Sequence, residues 1–373
     1  MIAGSSPLVK RQNGVAVLRR LRGVESMSFT ELSESTRLSR PTIEDAVAEL
    51  IDDGLVVAIA PEPASNRPVG RPAKRFAFRA DAGLVVACEL GVHELRLMLA
   101  DLDGVVLARG GQGIDADLPA AGRLAAMTAA VSALLADHSR TPAEVWAIAV
   151  STTGIVDANG TVVRSSRLAD WAGTDIAGAF ERMFPQAAAS VGNDARCAAL
   201  AEHWIGAGAD LDASVTVLAG TTMAAAITID GKPYLGRHGA SGEIGGLPEL
   251  GWPRAAAALR EFASAGGVLD GGDDERSRAA LAEFIEHFAL GLITLVTVLD
   301  TPRLIIAGEL AGVGDRLIGP LQERLDSACL FPVEVVASTL GTDVSVLGAL
   351  RLALNDVDAW LFDTERARRP LAS

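Results

Sequence analysis

The stretch Ala189–Glu202, ASVGNDARCAALAE, limits what this chain can fold into more than any other. A run of small residues leads to Asn193-Asp194, and an alanine-rich segment of good helix propensity follows. The amide and the carboxylate therefore stand at a helix N-terminus, where side-chain oxygens cap free backbone N–H groups and where a pocket would sit. A carboxylate beside an amide can orient a polyol hydroxyl, and it can accept that hydroxyl's proton where a phosphoryl donor lies opposite. Simple capping by Asp194 is the competing reading, so the rest of the chain has to decide.

At 373 residues the chain exceeds one ordinary core, which predicts two or three domains. Its longest apolar run, Phe288–Leu299, stops at Asp300 short of a bilayer span, and Lys10 and Arg11 have no apolar run of signal-peptide type behind them. These features predict a soluble cytoplasmic protein with no membrane partner. Cys88, Cys197 and Cys329 are odd in number and far apart, so neither a disulfide framework nor a clustered zinc site follows from them. Charge is informative once it is divided. Residues 1–80 hold 12 Lys+Arg and 9 Asp+Glu, a balance of +3, whereas the remaining 293 hold 21 and 38, a balance of −17. An acidic body repels nucleic acid, so any DNA contact must lie in the slightly basic head.

Within the head, Val15, Leu18 and Leu21 fall at helical spacing among Lys10, Arg11, Arg19, Arg20 and Arg22, which predicts a first helix with a basic outer side. Ser28 is placed to cap a second helix holding Phe29 and Leu32. Ser39 is placed to cap a third, whose Ile43, Val47, Leu50 and Ile51 share one apolar face that ends at Gly54. Two helices joined by a short turn at Arg37-Leu38 make a helix-turn-helix, with the third element as recognition helix. Leu55, Val56, Val57 and Ile59, then a loop with four prolines, then Phe76 and Phe78 predict a two-stranded wing. The wing loop carries Arg67, Gly70-Arg71-Pro72, Lys74 and Arg75, an extended basic segment suited to a narrow minor groove; a solvated basic linker is its plainer alternative. Glu44, Asp45, Glu49, Asp52 and Asp53 are unfavourable near phosphates, so only the first turn of the recognition helix, with Ser39, Arg40 and Thr42, is expected to approach a duplex. One such head makes too few contacts for specific affinity. Two heads on half-sites about 34 Å apart supply the rest, which predicts a homodimer or homotetramer paired through the body.

The body opens with LVVACELGVHELRLMLADLDGVVLARG from Leu84, two apolar alternating runs and a third strand after the Asp103-Gly104 turn, which reads as a β-meander. A helix from Pro119 to His138 is followed by a buried strand from Val145 to Val150, which runs into Ser151, Thr152, Thr153 and Gly154. A second set of the same parts comprises Val215–Leu218, Ala224–Ile229, the turn Asp230-Gly231 and a loop from Gly236 to Gly246. Two similar α/β lobes follow from this repetition. Phe284–Leu299 reads as a helix buried between layers, Leu304–Ala307 as a strand, and Leu347–Leu354 as a closing helix.

The head, the GRP wing loop, the three-strand opening, the Asn193-Asp194 helix, HGASGEIGG at 238–246 and VLDTPRLIIAGEL at 298–310, in this order, are similar to the ROK family of repressors, open reading frames and kinases. The resemblance covers nearly the whole chain. It implies an α/β body of two actin-like or hexokinase-like (ribonuclease H-like) lobes behind a winged helix-turn-helix, with a sugar in the cleft between lobes. Head and body would be residues 1–80 and 81–373, lobe one being about 81–190 plus the C-terminal helix and lobe two about 191–340. By position, Asn193 would hold sugar hydroxyls, Asp194 would be the base of a kinase and Glu243 a further sugar ligand, with Thr153 and Gly154 bordering the same site.

Several departures from the family pattern bear on activity. The first phosphate loop, Asp-x-Gly-Gly-Thr in the family, reads Glu89-Leu90-Gly91-Val92-His93, and a β-branched valine with an imidazole obstructs the close backbone approach that phosphate needs. The second, glycine-rich in family kinases, reads Gly220-Thr221-Thr222-Met223-Ala224-Ala225-Ala226. Gly246 stands where the family has a zinc-binding histidine, and PELGWPRAAAALREF replaces its cysteine cluster, so no metal and no cofactor are expected. His238 reads as a loop residue. Trp171 and Trp252 either stack on a sugar ring or pack. The reading that follows is a DNA-binding transcriptional regulator, a repressor, whose kinase-like body has lost phosphoryl transfer. Asp194 is then a vestigial base, and the body senses a sugar or sugar phosphate and pairs the chains. Two rivals fit the same residues: a working sugar kinase fused to a DNA-binding head, and a body that responds to a protein partner.

Overall fold

The computed structural model describes residues 7–60, 74–220, 222–264 and 275–364. The head starts with α1 (Pro7–Leu21), which buries Val17, Leu18 and Leu21, and continues through β1 (Met27–Ser28), α2 (Phe29–Thr36) and α3 (Arg40–Asp52). Ser28 and Glu31 close α2 with a reciprocal capping box: Ser28 Oγ accepts from Glu31 N at 3.3 Å, and the Glu31 carboxylate accepts from Ser28 N at 2.6 Å. Arg37 ends α2 at φ 60°, and Ser39 caps α3 by accepting from Thr42 N. The wing strands β2 (Val56–Ile59) and β3 (Arg75–Phe78) pair antiparallel, and β1 adds itself to the other side of β3. The wing sheet therefore has three strands where the sequence pattern predicts two, because a two-residue strand is too short to show a period.

The basic side of α1 is the second difference. Arg11 donates to Asp363 O at 3.0 Å, Arg19 stacks over Phe362 at 5.0 Å, and Arg22 pairs with Asp103 at 3.3 Å and with Asp358. Part of that side thus faces the body, not solvent. Arg22 also donates to Leu102 O and lies 5.6 Å from the Phe78 ring, so the junction closes around one guanidinium that is only 13% exposed.

Lobe one contains β4 (Leu84–Leu90), β5 (Glu94–Asp101), β6 (Val106–Gly113), α4 (Ala120–Asp137), β7 (Val145–Thr152), the hairpin β8 (Ile155–Val156) and β9 (Val162–Arg164), α5 (Ile176–Met183) and β10 (Ala188–Asn193). Its sheet order is β10-β7-β4-β5-β6: an antiparallel meander β4-β5-β6, then β7 and β10 added parallel to β4. Helix α6 (Asp194–Ile205) leads to lobe two, with β11 (Ser214–Ala219), β12 (Met223–Ile229), β13 (Lys232–Pro233), α7 (Trp252–Ser264), α8 (Glu275–Leu299), β14 (Arg303–Ala307), α9 (Asp315–Ala328) and β15 (Glu334–Ala337). Its sheet, β13-β12-β11-β14-β15, repeats the plan, a meander followed by two parallel strands. The two similar α/β lobes of the sequence reading are present.

The chain closes with α10 (Val344–Leu361), which returns to lobe one and packs against α6, β4 and β7. Helices α6 and α10 touch backbone to backbone. A Cβ placed on Gly348 of α10 would stand 1.7 Å from Cys197 O of α6. One apolar cluster joins Leu18, Leu21, Phe76 and Phe78 of the head to Met98 and Leu102 of lobe one and to Leu350, Leu354 and Leu361 of α10. Helices α4 and α8 are long and apolar enough to cross a membrane by composition, but α8 buries Phe284, Phe288 and Leu292 against α7, α9 and the lobe-two sheet.

Candidate functional site

Strands β7 and β10 run parallel with Thr152 opposite Asn193, so the loop after one and the helix after the other leave from the same sheet edge. Carboxyl ends of neighbouring parallel strands are where open α/β sheets hold ligands. Asn193 caps α6: its Oδ1 accepts from Arg196 N at 3.1 Å, and its Nδ2 donates to Gly154 O at 3.0 Å and to Asp194 Oδ1 at 2.9 Å. Both amide hydrogens of Asn193 are therefore engaged inside the protein, and the residue fixes the loop and Asp194 rather than presenting its own donors. Asp194 Oδ1 also accepts from Ala195 N at 2.8 Å, and among the described residues no other side chain or neighbouring N–H reaches Oδ2. Gly154, whose carbonyl accepts from Asn193, sits at φ 107° with its would-be Cβ 2.7 Å from Arg164 O, so this bend requires glycine.

Glu243 reaches the site from the loop of lobe two and faces water, and its charge raises the proton affinity of Asp194. Burial, the larger cause, and Glu243 together push the Asp194 carboxyl up to about 6. Glu243 is itself raised by desolvation against the cleft wall and lowered by Arg196. Glu89, at the end of β4, is pushed up to about 7, first by burial and then by Asp194, although Arg96 opposes the shift. Asp194 thus lies between two other carboxyls: its charge raises Glu89 on the β4 side, and the charge of Glu243 raises Asp194 from lobe two. Such clusters are costly to build and mark functional sites.

The phosphate end differs from a bare backbone cradle. Arg96 stands opposite Glu89 in the β4–β5 register and pairs with it at 3.4 Å, with Glu94 as well, and donates to Thr342 O at 3.0 Å. Behind the Gly91-Val92-His93 turn, Arg123 is 1% exposed and donates to the carbonyls of Val92, Leu118, Asp115 and Ala116 at 2.6–3.1 Å, with Gly91 O at 3.4 Å. The sequence reading missed both arginines. The cross-strand pair was recoverable from the meander, since Glu89 and Arg96 flank its first turn symmetrically, whereas the partners of Arg123 are carbonyls, which no pattern displays. In the second loop Ala224–Ala226 belong to β12, with Ala225 and Ala226 buried, so they are strand core and do not line a cradle. Thr221 lies outside the described residues. A Cβ on Gly220 would stand 3.3 Å from the Glu309 carboxylate, so an acid faces the place where a second phosphate contact would form.

Trp171 and Trp252 are core residues. Trp171 Nε1 donates to Thr152 Oγ1 at 3.0 Å and Trp252 Nε1 to Phe288 O at 3.1 Å, and neither ring reaches the cleft because both are almost fully buried. Gly246 is exposed and precedes α7, the helix made by the replacement segment. His238 is an exposed loop residue.

On the head, Ser39 Oγ and Thr42 Oγ1 are 2.8 Å apart at the exposed start of α3, and Arg40 pairs with Glu44 at 2.9 Å while lying 5.6 Å from the Phe29 ring. Lys74 is exposed at the start of the second wing strand. Arg75 is engaged within the head: it donates to Ser26 Oγ at 2.8 Å and Ser26 O at 2.7 Å and pairs with Glu31 at 3.1 Å, which fits a brace between wing and α2 better than a free DNA contact. Arg67 and Arg71 lie outside the described residues.

The raised carboxyls give a pH dependence. Asp194 and Glu89 hold their protons more tightly in the folded chain than at their ordinary values of 3.8 and 4.5. Their contribution to stability is complete below about pH 4 and is lost as pH rises through about 6 and 7. Asp194→Asn cannot ionise and is expected to be more stable than the parent by an amount about 2 kcal/mol larger at pH 8 than at pH 4. Urea unfolding of both proteins at the two pH values measures this; a pH-independent difference would show that Asp194 is not desolvated.

Residues 85–249 match the ROK family. Over 95% of its length the chain is 21% identical to the xylose repressor of Caldicellulosiruptor bescii, covering 98% of that protein. Over 65% of its length it is 27% identical to the DNA-binding transcriptional dual regulator NagC of Escherichia coli, covering 58% of that protein. Its fold is similar to that of a ROK family transcriptional regulator homologous to the E. coli MLC protein, with a TM-score of 0.71 at 19% identity over 94% of this chain and 97% of that one. It is also similar to a ROK family glucokinase from Streptomyces griseus in complex with glucose and AMPPNP, with a TM-score of 0.60 at 22% identity over 73% and 100%. The capped Asn193-Asp194 edge, the two repeated sheets and the match over residues 85–249 lead to one conclusion: the chain contains a ROK family domain.

Proposed function

We propose that the protein is a sugar-responsive DNA-binding repressor without kinase activity, acting in the cytoplasm. The observation that carries this reading is the contrast between the two ends of one cleft. At the sugar end Asp194 Oδ2, Glu243 and the Thr153-Gly154 bend remain open to a hydroxylated ligand, and unpaired polar groups of this kind are expensive unless a ligand or water satisfies them. At the phosphate end the Glu89–Arg96 pair and the Glu309 carboxylate stand where a triphosphate would need bare N–H groups or a cation. The full-length similarity to a xylose repressor supports the same reading, and so does the helix-turn-helix with Ser39 and Arg40 exposed and Thr42 half-buried at the start of α3. We take residues 1–80 as the DNA-binding head and 81–373 as the sensing body. The exposed apolar residues Leu330 and Phe331, beside the end of α8 on lobe two, support pairing of two bodies, which would place two heads on one operator.

The test is a thermal-shift screen of the full chain with neutral sugars and sugar phosphates, repeated with Glu243→Ala and accompanied by an ATP-turnover assay. A ligand that prefers the native state raises its apparent stability, by about 2.7 kcal/mol at a hundredfold excess over Kd. One sugar is expected to stabilise the parent and not Glu243→Ala, with no turnover of ATP. Sugar-dependent ATP turnover abolished by Asp194→Asn would establish the kinase reading instead, and a stabilisation unchanged in Glu243→Ala would remove the site.

A further inference from the structure

A cavity of about 690 Å³ opens between α6, the edge strand β10, the β12–β13 hairpin and α10. Its size is that of a small-molecule site. Val191, Leu200, Trp204, Leu235 and Leu352 give it apolar walls, so the many hydroxyls of a sugar would find few partners there. Arg196, Lys232 and Arg351 line it as well, against one acid, Asp157.

Arg196 is the informative residue. It is 8% exposed, its Nη2 donates to Val156 O at 2.7 Å, and among the described residues no carboxylate lies within ion-pair distance of it. Its remaining N–H groups are not sealed in protein, so the cavity is where they find a partner. Burial is the larger influence and lowers its proton affinity, while the charges of Glu243 and Asp194 act the other way without reaching ion-pair distance. A buried cation of this kind is strongly stabilised by an anion brought to it.

The cavity is also joined to the head. Arg351 stacks over Trp204 at 5.6 Å and donates to Asp358 Oδ2 at 2.7 Å, and Asp358 Oδ1 accepts from Arg22 of α1. One carboxylate therefore lies between an arginine of the cavity wall and the arginine that closes the junction of head and body. On the other side, Arg196 N donates to Asn193 Oδ1, so the same helix turn borders both cavities.

From these contacts we infer that the cavity is a second effector site, separate from the sugar cleft, for a small anion with an apolar ring or chain: the carboxylate or phosphate meets Arg196 and Lys232, the body packs on Trp204 and Leu200, and Arg351 passes occupancy through Asp358 to Arg22. The inference does not rest on the sugar reading, because none of its groups is Asp194, Glu243 or the Thr153-Gly154 bend.

The test uses the full chain and three probes, benzoate, phenyl phosphate and inorganic phosphate, by titration calorimetry. One ring-bearing probe is expected to bind saturably at one site, and inorganic phosphate, which lacks the body, about tenfold more weakly or worse. Arg196→Gln should weaken the ring-bearing probe about tenfold or more. Lys232→Glu, an exposed change that leaves the interior intact, should weaken it in the same direction, and Leu200→Trp should block it by filling the cavity. With DNA selected by the protein from a random pool, the bound probe should alter affinity in the parent and not in Asp358→Asn. Absence of saturable binding by either ring-bearing probe overturns the site. So does binding that survives both Lys232→Glu and Leu200→Trp, and inorganic phosphate binding as tightly as phenyl phosphate overturns the ligand class. Binding without any change in DNA affinity overturns the effector role.

Discussion

Gly348→Ala should destabilise the folded chain by about 3 kcal/mol or more, in the direction opposite to what helix propensity predicts. In the middle of a helix such as α10, glycine is about 1 kcal/mol worse than alanine, so the substitution would ordinarily help. Here the added methyl would stand 1.7 Å from Cys197 O and 2.2 Å from its carbonyl carbon, both backbone atoms of α6. No rotamer change can relieve a collision between backbone and Cβ. The two helices must separate, and with them the apolar contacts of Ala349, Ala353 and Leu350 that close the body. The separation would also widen the cavity between α6 and α10, so ligand binding there and the placement of Asp194 should both suffer. Urea unfolding gives the sign directly: a stabilised Gly348→Ala would mean that α6 and α10 do not meet at this point.

Arg22→Ala should cost about 3–5 kcal/mol and detach the response to ligand from DNA binding. The guanidinium pairs with Asp103 and Asp358, donates to Leu102 O and lies over Phe78 and Phe362, at the only described place where α1 and the end of α10 face a shared charge. Removing it leaves two partly buried carboxylates facing one another, and burial already raises the proton affinity of Asp103. Arg22→Lys keeps the charge but cannot reach three acceptors from one fork, so it should fall between the two. The head retains its own core of Leu32, Ile43, Val47 and Leu50, so binding to DNA should survive better than its regulation. A loss below about 1 kcal/mol, with the ligand response intact, would reduce Arg22 to an ordinary surface pair.

The parts of this fold that the sequence announces are those held by local rules. The capping serines at 28 and 39, the alternation from Leu84 to Leu90 and the apolar face of Phe284, Phe288 and Leu292 each depend on residues a few positions apart. The Asn193-Asp194 edge was legible for the same reason, since an N-cap is written within four residues. What stayed hidden was set by partners far along the chain. The charges on α1 look like a face for DNA until Asp358 and Phe362, more than three hundred residues later, take them up. Asn193 looks like a ligand for hydroxyls until Gly154 O and Asp194 engage its amide.

The shared cluster of α1, the wing and α10 has a consequence for synthesis. The head is made before the body, and its caps and most of its core are local. The surface that receives it, from Leu350 to Phe362, follows only after both lobes have been made. While both lobes are being made, then, the nascent chain carries a head whose partner surface does not yet exist. A stop codon anywhere between the wing and Val344 would leave that state permanent: on the proposed function, a head with no helix to tell it when to leave its DNA.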